Sequence, residues 1–539
     1  MLILPTAAPA FDTEADVNDV RDLPDPSPNV GECRSSADTC TLRAAIMRAN
    51  SRTGQHVIRL PAGTFTLTRA GREEDDGATG DLDLRRDTTI AGAGAAVTIV
   101  DAAGIDRVFD LSGKRNITLK DITIRGGDAE SVDPAGLDGG GIRIGRINDG
   151  KGKVKLVRVV IEGNFANRHG AGIFMHAKDS SLRIERSAIV NNRIDSSNAT
   201  GIALDLNAET VTISDTTISG NRSDRAGAVV INVNEGTAAT IRRSTILGEG
   251  SQVLLANFFA SPATVDIAAT ILQGGGTGCS RTGSVPPLVV FDSGNNVESG
   301  DTCGLLAFKG NLVNTPAQLG PLIRNAGTAF HVPSGPSPVI DHIPATACAI
   351  TVDQRGLPRP RAGSRAGVAN CDVGAIEVQG VRGEPAVTAT QTGVRRAGDP
   401  LDLSYSWRVP DGGTWRDLVT LDLRLVDDGR VVFWVRWFAD GDRFVELSES
   451  GEPIAATSSF RPGFVLDGGA ASSAEGPESP EVTLHLPLLA TRARSGGLTA
   501  EVSATDTGGA QPFSAVAILG DAGGTLRIPS GTGRIPTSR

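Results

Sequence analysis

Aromatic side chains are scarce in this chain, at 4% of 539 residues. A compact α/β enzyme of this length usually carries a larger aromatic core, so the scarcity argues for slim aliphatic packing instead. No stretch approaches the roughly 18–20 apolar residues needed to span a bilayer. The formal net charge is −10, and the basic residues, predominantly Arg, form no dense cluster. Bulk electrostatics therefore gives no reason for a nucleic-acid partner. There is no CxxC pair, and no cysteine stands at zinc-finger spacing from a histidine. GAGAAV (92–97) and GGGIRIG (139–145) imitate pieces of a dinucleotide fingerprint. No helical pattern follows either, so the phosphate-binding end is missing.

What the chain does have is a repeat. Ile124, Ile161, Ile189, Ile218, Ile246 and Ile271 form one column, with steps of 37, 28, 29, 28 and 25 residues. Five positions earlier stand Leu119, Leu156, Ile184, Ile213 and Ile241, and seven earlier Ile117, Val154, Leu182, Val211 and Ala239. Three positions after the column come Gly127, Asn164, Asn192, Asn221, Glu249 and Gly274. Alternating apolar positions followed by turn residues, once per copy, read as strands with punctuation. A unit this short cannot bury its own apolar edge, so copies must stack. The expected fold is all-β: a right-handed parallel β-helix with a short N-terminal capping helix, followed by a C-terminal β-sandwich.

The domain reading follows the composition. Residues 1–10 (MLILPTAAPA) form a partial signal-like segment, an apolar run ending in small residues. Residues 11–55 are a lead-in and cap, with Leu42, Ala45, Ile46 and Ala49 at helical spacing. The β-helix spans 56–276. Residues 277–379, without clear period, are expected to close its C-terminal end, and 380–400 to be a linker. Residues 401–539 hold all four Trp and two long alternating runs around Asp428-Gly429, a hairpin signal. The six cysteines fall as local pairs, Cys33 with Cys40, Cys279 with Cys303 and Cys348 with Cys371. Such pairs point to disulfides in an oxidising, extracellular or cell-surface setting.

CTLRAAIMRAN (40–50) after an acidic, Pro-containing lead-in resembles the N-terminal signature of the CSLREA-domain proteins, and IRLPAGTFTL and DRVFDL resemble their entry coils. SGNNVESGDTC, LGPLIRNAG, DQRGLPRP and CDVGAIE are similar to the choice-of-anchor Q domain that follows such helices. The resemblance covers about residues 11–379. It implies a bacterial exported or surface protein with a pectin-lyase-like fold, and it implies no reaction. Ala44 stands where family members commonly carry Glu. GAGIF and GNFAN faintly resemble repeats of the chlamydial polymorphic membrane proteins, which are adhesins.

Several residue sets are candidates for chemistry. Asp121, Arg158, Arg186, Asp215 and Arg243, three positions before the Ile column, should point outward in register. They are candidates for binding a polysaccharide or surface glycan, or simply an ion ladder. The Asn column is read as a turn ladder, since Asn tolerates left-handed backbone and stacked amides can hydrogen-bond. Loop residues Asp128, Asp138, Arg168 and His169 are the catalytic candidates, supplying carboxylates and a base of the kind a polysaccharide lyase needs. The run EEDDGATGDLD offers Glu73, Glu74, Asp75, Asp76, Asp81 and Asp83 as calcium ligands. Calcium is the cofactor considered, and no other is indicated. Of Trp434 and Trp437, on opposite strand faces by parity, Trp437 is taken as the candidate for stacking on a sugar. The preferred function is a non-catalytic exported protein that binds glycans or mediates adhesion. The alternatives are a lyase or glycoside hydrolase acting on acidic polysaccharides, and a structural surface spacer.

Overall fold

The computed structural model describes residues 13–519 except 73, 131–136, 146–150, 196–200, 224–228, 235, 251, 258–261, 275–277, 280–287, 326, 334–336, 349, 361–369, 379–383, 390–395, 410–414, 416–417, 428, 455–461, 468, 478, 493–497, 507–508 and 511–512. The signal-like segment 1–10 and Glu73 thus lie outside the described residues. The chain divides into two compact units, 1–378 and 379–539.

The first unit is a parallel β-solenoid with three walls. Wall A runs through ten strands, from Thr13–Asp16 and Gln55–Arg59 to Thr264–Ala268 and Val289–Gly294. Wall B begins at Leu82–Leu84, Phe109–Leu111 and Ile142–Ile144 and ends at Val253–Ala256. Two long strands, Ile173–Glu185 and Leu204–Ser214, serve wall B with their first halves and wall A with their second. Wall C stacks nine strands from Gly63–Thr66 to Val297–Glu298.

The register is that of the repeat. Leu156 pairs with Leu119 on one side and Ile184 on the other, and Ile184 continues to Ile213 and Ile241. All five are at most 1% exposed and belong to one continuous core. Each such side chain removed from water contributes about 1.5–3 kcal/mol. On wall C the Ile column holds through Ile246 and then shifts: Ile246 pairs with Leu272, and Ile271 pairs with Thr245. Both residues of the Ile271-Leu272 pair are apolar, so hydrophobicity alone did not fix which one faces inward.

Helix α1 (Leu42–Asn50) starts at Thr41, whose hydroxyl accepts from the Ala44 N–H at 3.1 Å. Leu42, Ala45, Ile46 and Ala49 join the core shared with Ile58 and Leu84, in the first turns of walls A and B. They cover apolar surface that a terminal coil would otherwise expose.

The region expected to close the C-terminal end packs Cys303 and Leu305 on the main core, and it also does something more. Val289–Gly294 and Val297–Glu298 add one more turn. The chain then runs back along the outside of wall C. The antiparallel hairpin Leu319–Asn325/Thr328–Pro333 brings Leu322 and Ala329 against Ala95, Val160, Ala188 and Val190. Gln354 accepts from the Thr217 hydroxyl at 2.7 Å, and the Ala375 N–H donates to Thr245 Oγ1 at 3.1 Å. The outward residues Val160, Ala188 and Val190 of wall C are apolar, which is why this stretch of the flank needs a cover. Three disulfides join Cys33 to Cys40, Cys279 to Cys303 and Cys348 to Cys371.

The second unit is built of two antiparallel sheets. Leu403, Trp407 and Leu484 of one sheet share a core with Leu423, Trp437 and Val502 of the other. Leu418–Asp427 and Arg430–Phe438 form the hairpin. Residues 380–400, read as a linker, contain the strand Glu384–Ala389, which pairs with Pro400–Arg408. Pro385 and its neighbours hid that strand from a reading based on apolar alternation.

Candidate functional site

The five charged residues before the Ile column occupy the corner between walls A and C. Asp121, Arg158, Arg186, Asp215 and Arg243 all have left-handed backbone, with φ between 46° and 59°. Such a conformation is costly for residues with a Cβ. Here it turns the chain within one residue, and the next residue offsets the cost. The Val159 N–H donates to Ser187 Oγ at 3.1 Å, the Ser187 N–H to Thr216 at 3.4 Å and the Thr216 N–H to Ser244 at 3.3 Å. This interior hydroxyl ladder was not singled out from the sequence, although Ser187, Thr216 and Ser244 directly follow corner positions. The charged side chains pair off along the corner. Arg158 grips Asp121 through two bonds of 2.5 and 2.7 Å, and Arg243 grips Asp215 through bonds of 2.9 and 3.2 Å. Arg186 stands between the pairs and makes no ion pair among the described residues.

Asn164, Asn192 and Asn221 are a ladder, but they are inside, at no more than 1% exposure. Asn164 Nδ2 donates to Asn192 Oδ1 at 3.0 Å, and Asn192 Nδ2 donates to Asn221 Oδ1 at 2.9 Å. Each amide also reaches a wall C carbonyl: Ile124, Ile161 and Ile189. The left-handed residue of this turn is the preceding one, Gly163, Asn191 or Gly220. A fully buried amide holds its place here because all its partners are supplied.

A column of charged and polar residues runs along the outer side of wall B. The middle residues of its triplets stack in register: Asp83, Asp110, Arg143, Phe174, Asp205 and Asn232. In the sequence these triplets read LDL, FDL, IRI, IFM, LDL and INV. Asp110 is 1% exposed and bound by Arg143. Burial acts to raise its pKa, but Arg143 and Arg85 outweigh burial and hold it below the ordinary carboxylate range. Asp81 and Asp83 are pushed the other way by burial. Asp81 meets Arg107 at 2.9 Å, and Asp83 meets Arg85 at 2.5 Å.

The acidic run therefore splits up. Glu74 accepts from the Thr79 N–H at 2.9 Å and shapes its own loop, and Asp76 is exposed. Asp81 belongs to Arg107, while Asp75 and Asp83 converge with Asp110, their oxygens within 4.8 Å of one another. The loop is fixed from below by buried Arg43, which binds Asp22 and donates to the carbonyls of Gly77 and Gly80.

Three of the four catalytic candidates are neighbours: Asp138 forms a β-bridge with His169 on the adjacent turn, beside Arg168. Asp138 is held by Arg168 through bonds of 2.9 and 2.5 Å. His169 turns to Asp205, with Nδ1 at 3.8 Å from the carboxylate, and its ring stacks near Phe174 at 6.1 Å. Asp128 shares no hydrogen bond or ion pair with the other three among the described residues. Burial raises its pKa, and its carbonyl accepts from Arg72.

Trp437 is not available to a ligand. It is 1% exposed and donates from Nε1 to Asp442 at 2.6 Å. The half-buried residue of the pair is Trp434, which donates to Asp422 at 2.7 Å and lies beneath Arg424. Parity puts the two rings on opposite faces without saying which face is core.

No helix among the described residues is long and apolar enough to cross a membrane. No protein-family model matches this chain, and no curated protein is detectably similar to it.

Proposed function

We propose that this is an exported or cell-surface β-helix protein of the CSLREA and choice-of-anchor Q kind, which binds glycans or mediates adhesion without catalysing a reaction. The outer face of wall A carries the proposal. Thr89, Thr118, Lys155, Arg183, Thr212, Thr240 and Asp266 stand in one in-register column, and none of them is buried. Rungs about 4.8 Å apart place hydroxyls and charges at regular intervals on a flat, rigid surface. A polysaccharide presents hydroxyls and carboxylates at regular intervals too, so many weak contacts add without ordering a loop. The bidentate ion pair of Asp138 with Arg168 supports the non-catalytic reading, because an acid or base must be free to exchange its partners. Three disulfides fit an oxidising compartment.

A glycan array tests the proposal, comparing the intact chain with a Lys155→Ala/Arg183→Ala variant and with a chain ending at residue 378. Binding to anionic glycans should survive truncation and fall with the double substitution. Binding that follows residues 379–539 instead would place the activity in the second unit. The rival lyase reading rests on His169 beside Asp205. Absorbance from unsaturated products, after incubation with uronic-acid polymers, would establish it in place of the binding reading.

A further inference from the structure

The outer columns of wall A are polar or small on rung after rung until the last one. There Phe291 follows Thr212, Thr240 and Asp266 in one in-register column, and Val289 follows Ala238 and Thr264 in the next. Val290 between them packs against the core, so its two neighbours face outward. Phe291 is 55% exposed. Among the described residues the only other exposed ring of Phe, Tyr or Trp is Phe308, which lies outside the wall in the short turn Ala307–Lys309. Beside Phe291 stands an ion pair with hydrogen-bonding capacity to spare. Asp266, the Cα partner of Phe291, accepts from Arg242 Nη2 at 2.6 Å and from the Ser293 hydroxyl at 2.5 Å, one bond on each oxygen. Each oxygen keeps a lone pair, and Arg242 keeps several N–H donors. Both side chains reach solvent, Arg242 at 38% and Asp266 at 28% exposure. Arg242 has Ala268 as its own neighbour on the next rung, and that methyl group leaves the guanidinium room to lie across the sheet.

We propose that Phe291 is the floor of a subsite for one acidic sugar ring. The C–H face of the sugar lies on the phenyl group, its hydroxyls donate to Asp266, and its carboxylate accepts from Arg242. Two apolar side chains on the outer face supply far less than the about 800 Å² per partner that a stable protein interface needs. A ring edged by a carboxylate and a guanidinium matches a pyranose instead, apolar on one face and polar around its rim. The proposal rests on the glycan reading of wall A. It places one end of the bound chain on the last rung, four rungs or roughly 19 Å from Arg183.

Calorimetric titration of the full-length protein with alginate and hyaluronan oligosaccharides, each also in carboxyl-reduced form, tests it alongside Phe291→Ala, Phe291→Trp and Arg242→Gln. The altered side chains lie at the surface, so each variant should unfold close to the temperature of the intact protein. The intact protein should bind at least one acidic oligosaccharide, and more tightly than its reduced form. Phe291→Ala should weaken that binding about tenfold or more, while Phe291→Trp preserves it. Arg242→Gln should erase the preference for the acidic form. If Lys155→Ala/Arg183→Ala weakens binding and Phe291→Ala leaves it unchanged, the subsite fails while the reading of the wall stands. If the intact protein binds none of these oligosaccharides, neither stands. If sedimentation shows the intact protein to be a dimer and Phe291→Ala a monomer, the ring serves a contact between copies and the proposal fails.

Discussion

Single side chains decide whether neighbouring turns lock together. Asn192 accepts from Asn164 and donates to both the Ile161 carbonyl and Asn221. Asn192→Ala would strand these groups in a dry interior, so we expect a loss of about 3 kcal/mol in denaturant unfolding, near the upper end for buried polar deletions. His331 links the outer hairpin to wall C in a defined neutral form. Its Nδ1–H donates to the Gly320 carbonyl at 2.8 Å, and its Nε2 accepts from the Ser219 hydroxyl at 2.8 Å. Burial holds its pKa below the ordinary value of 6.5. The unfolded chain then takes up a proton before the folded one does. Its contribution to stability is full above about pH 6.5 and is lost as pH falls below that. The difference in unfolding midpoint between wild type and His331→Gln should shrink from pH 7 to pH 5. A difference that grows would contradict the neutral assignment. Periodicity made the Asn column legible, but not its inward direction, because the left-handed residue before it bears the turn. Asp110 went unseen because one acidic residue between apolar ones looks like ordinary strand alternation until its register with Asp83 is known.

Elements stack with little tolerance in this architecture. Ile184 sits between Leu156 and Ile213 in the interior of wall A. Ile184→Ala should cost about 2–5 kcal/mol. Thr212→Ala, on the outer face of the same wall, should stay within about 0.5 kcal/mol. Equal effects in a urea titration would mean that the inner and outer columns had been exchanged. Wall A was readable because its inward aliphatics alternate with polar residues. Wall B was readable as strands, yet the charged column on its outer side was not, since three-residue strands give too few alternations to reveal a stack. The hairpin on wall C escaped the sequence for another reason: its partners lie over one hundred positions upstream, as with Ser219 and His331. No local pattern records so distant a pairing.

Across the molecule, covalent restraint is unevenly distributed. All three bridges, spanning 7, 24 and 23 residues, lie within residues 1–378. Loop entropy assigns about 2.5 kcal/mol to the shortest and about 3.5 kcal/mol to each of the others. A reductant should therefore lower the unfolding transition of the first unit in scanning calorimetry and leave that of the second in place. A parallel fall in both would show that the units unfold as one. The outer cover formed by residues 319–378 also bears on the order of events in biosynthesis. A chain emerging from its amino end can wind coil upon coil as each is delivered. Val160, Ala188 and Val190, however, stay bare until the segment that shields them arrives. For that interval the nascent rod carries a sticky flank, and interruption of synthesis or translocation just short of residue 319 would leave a product prone to clumping.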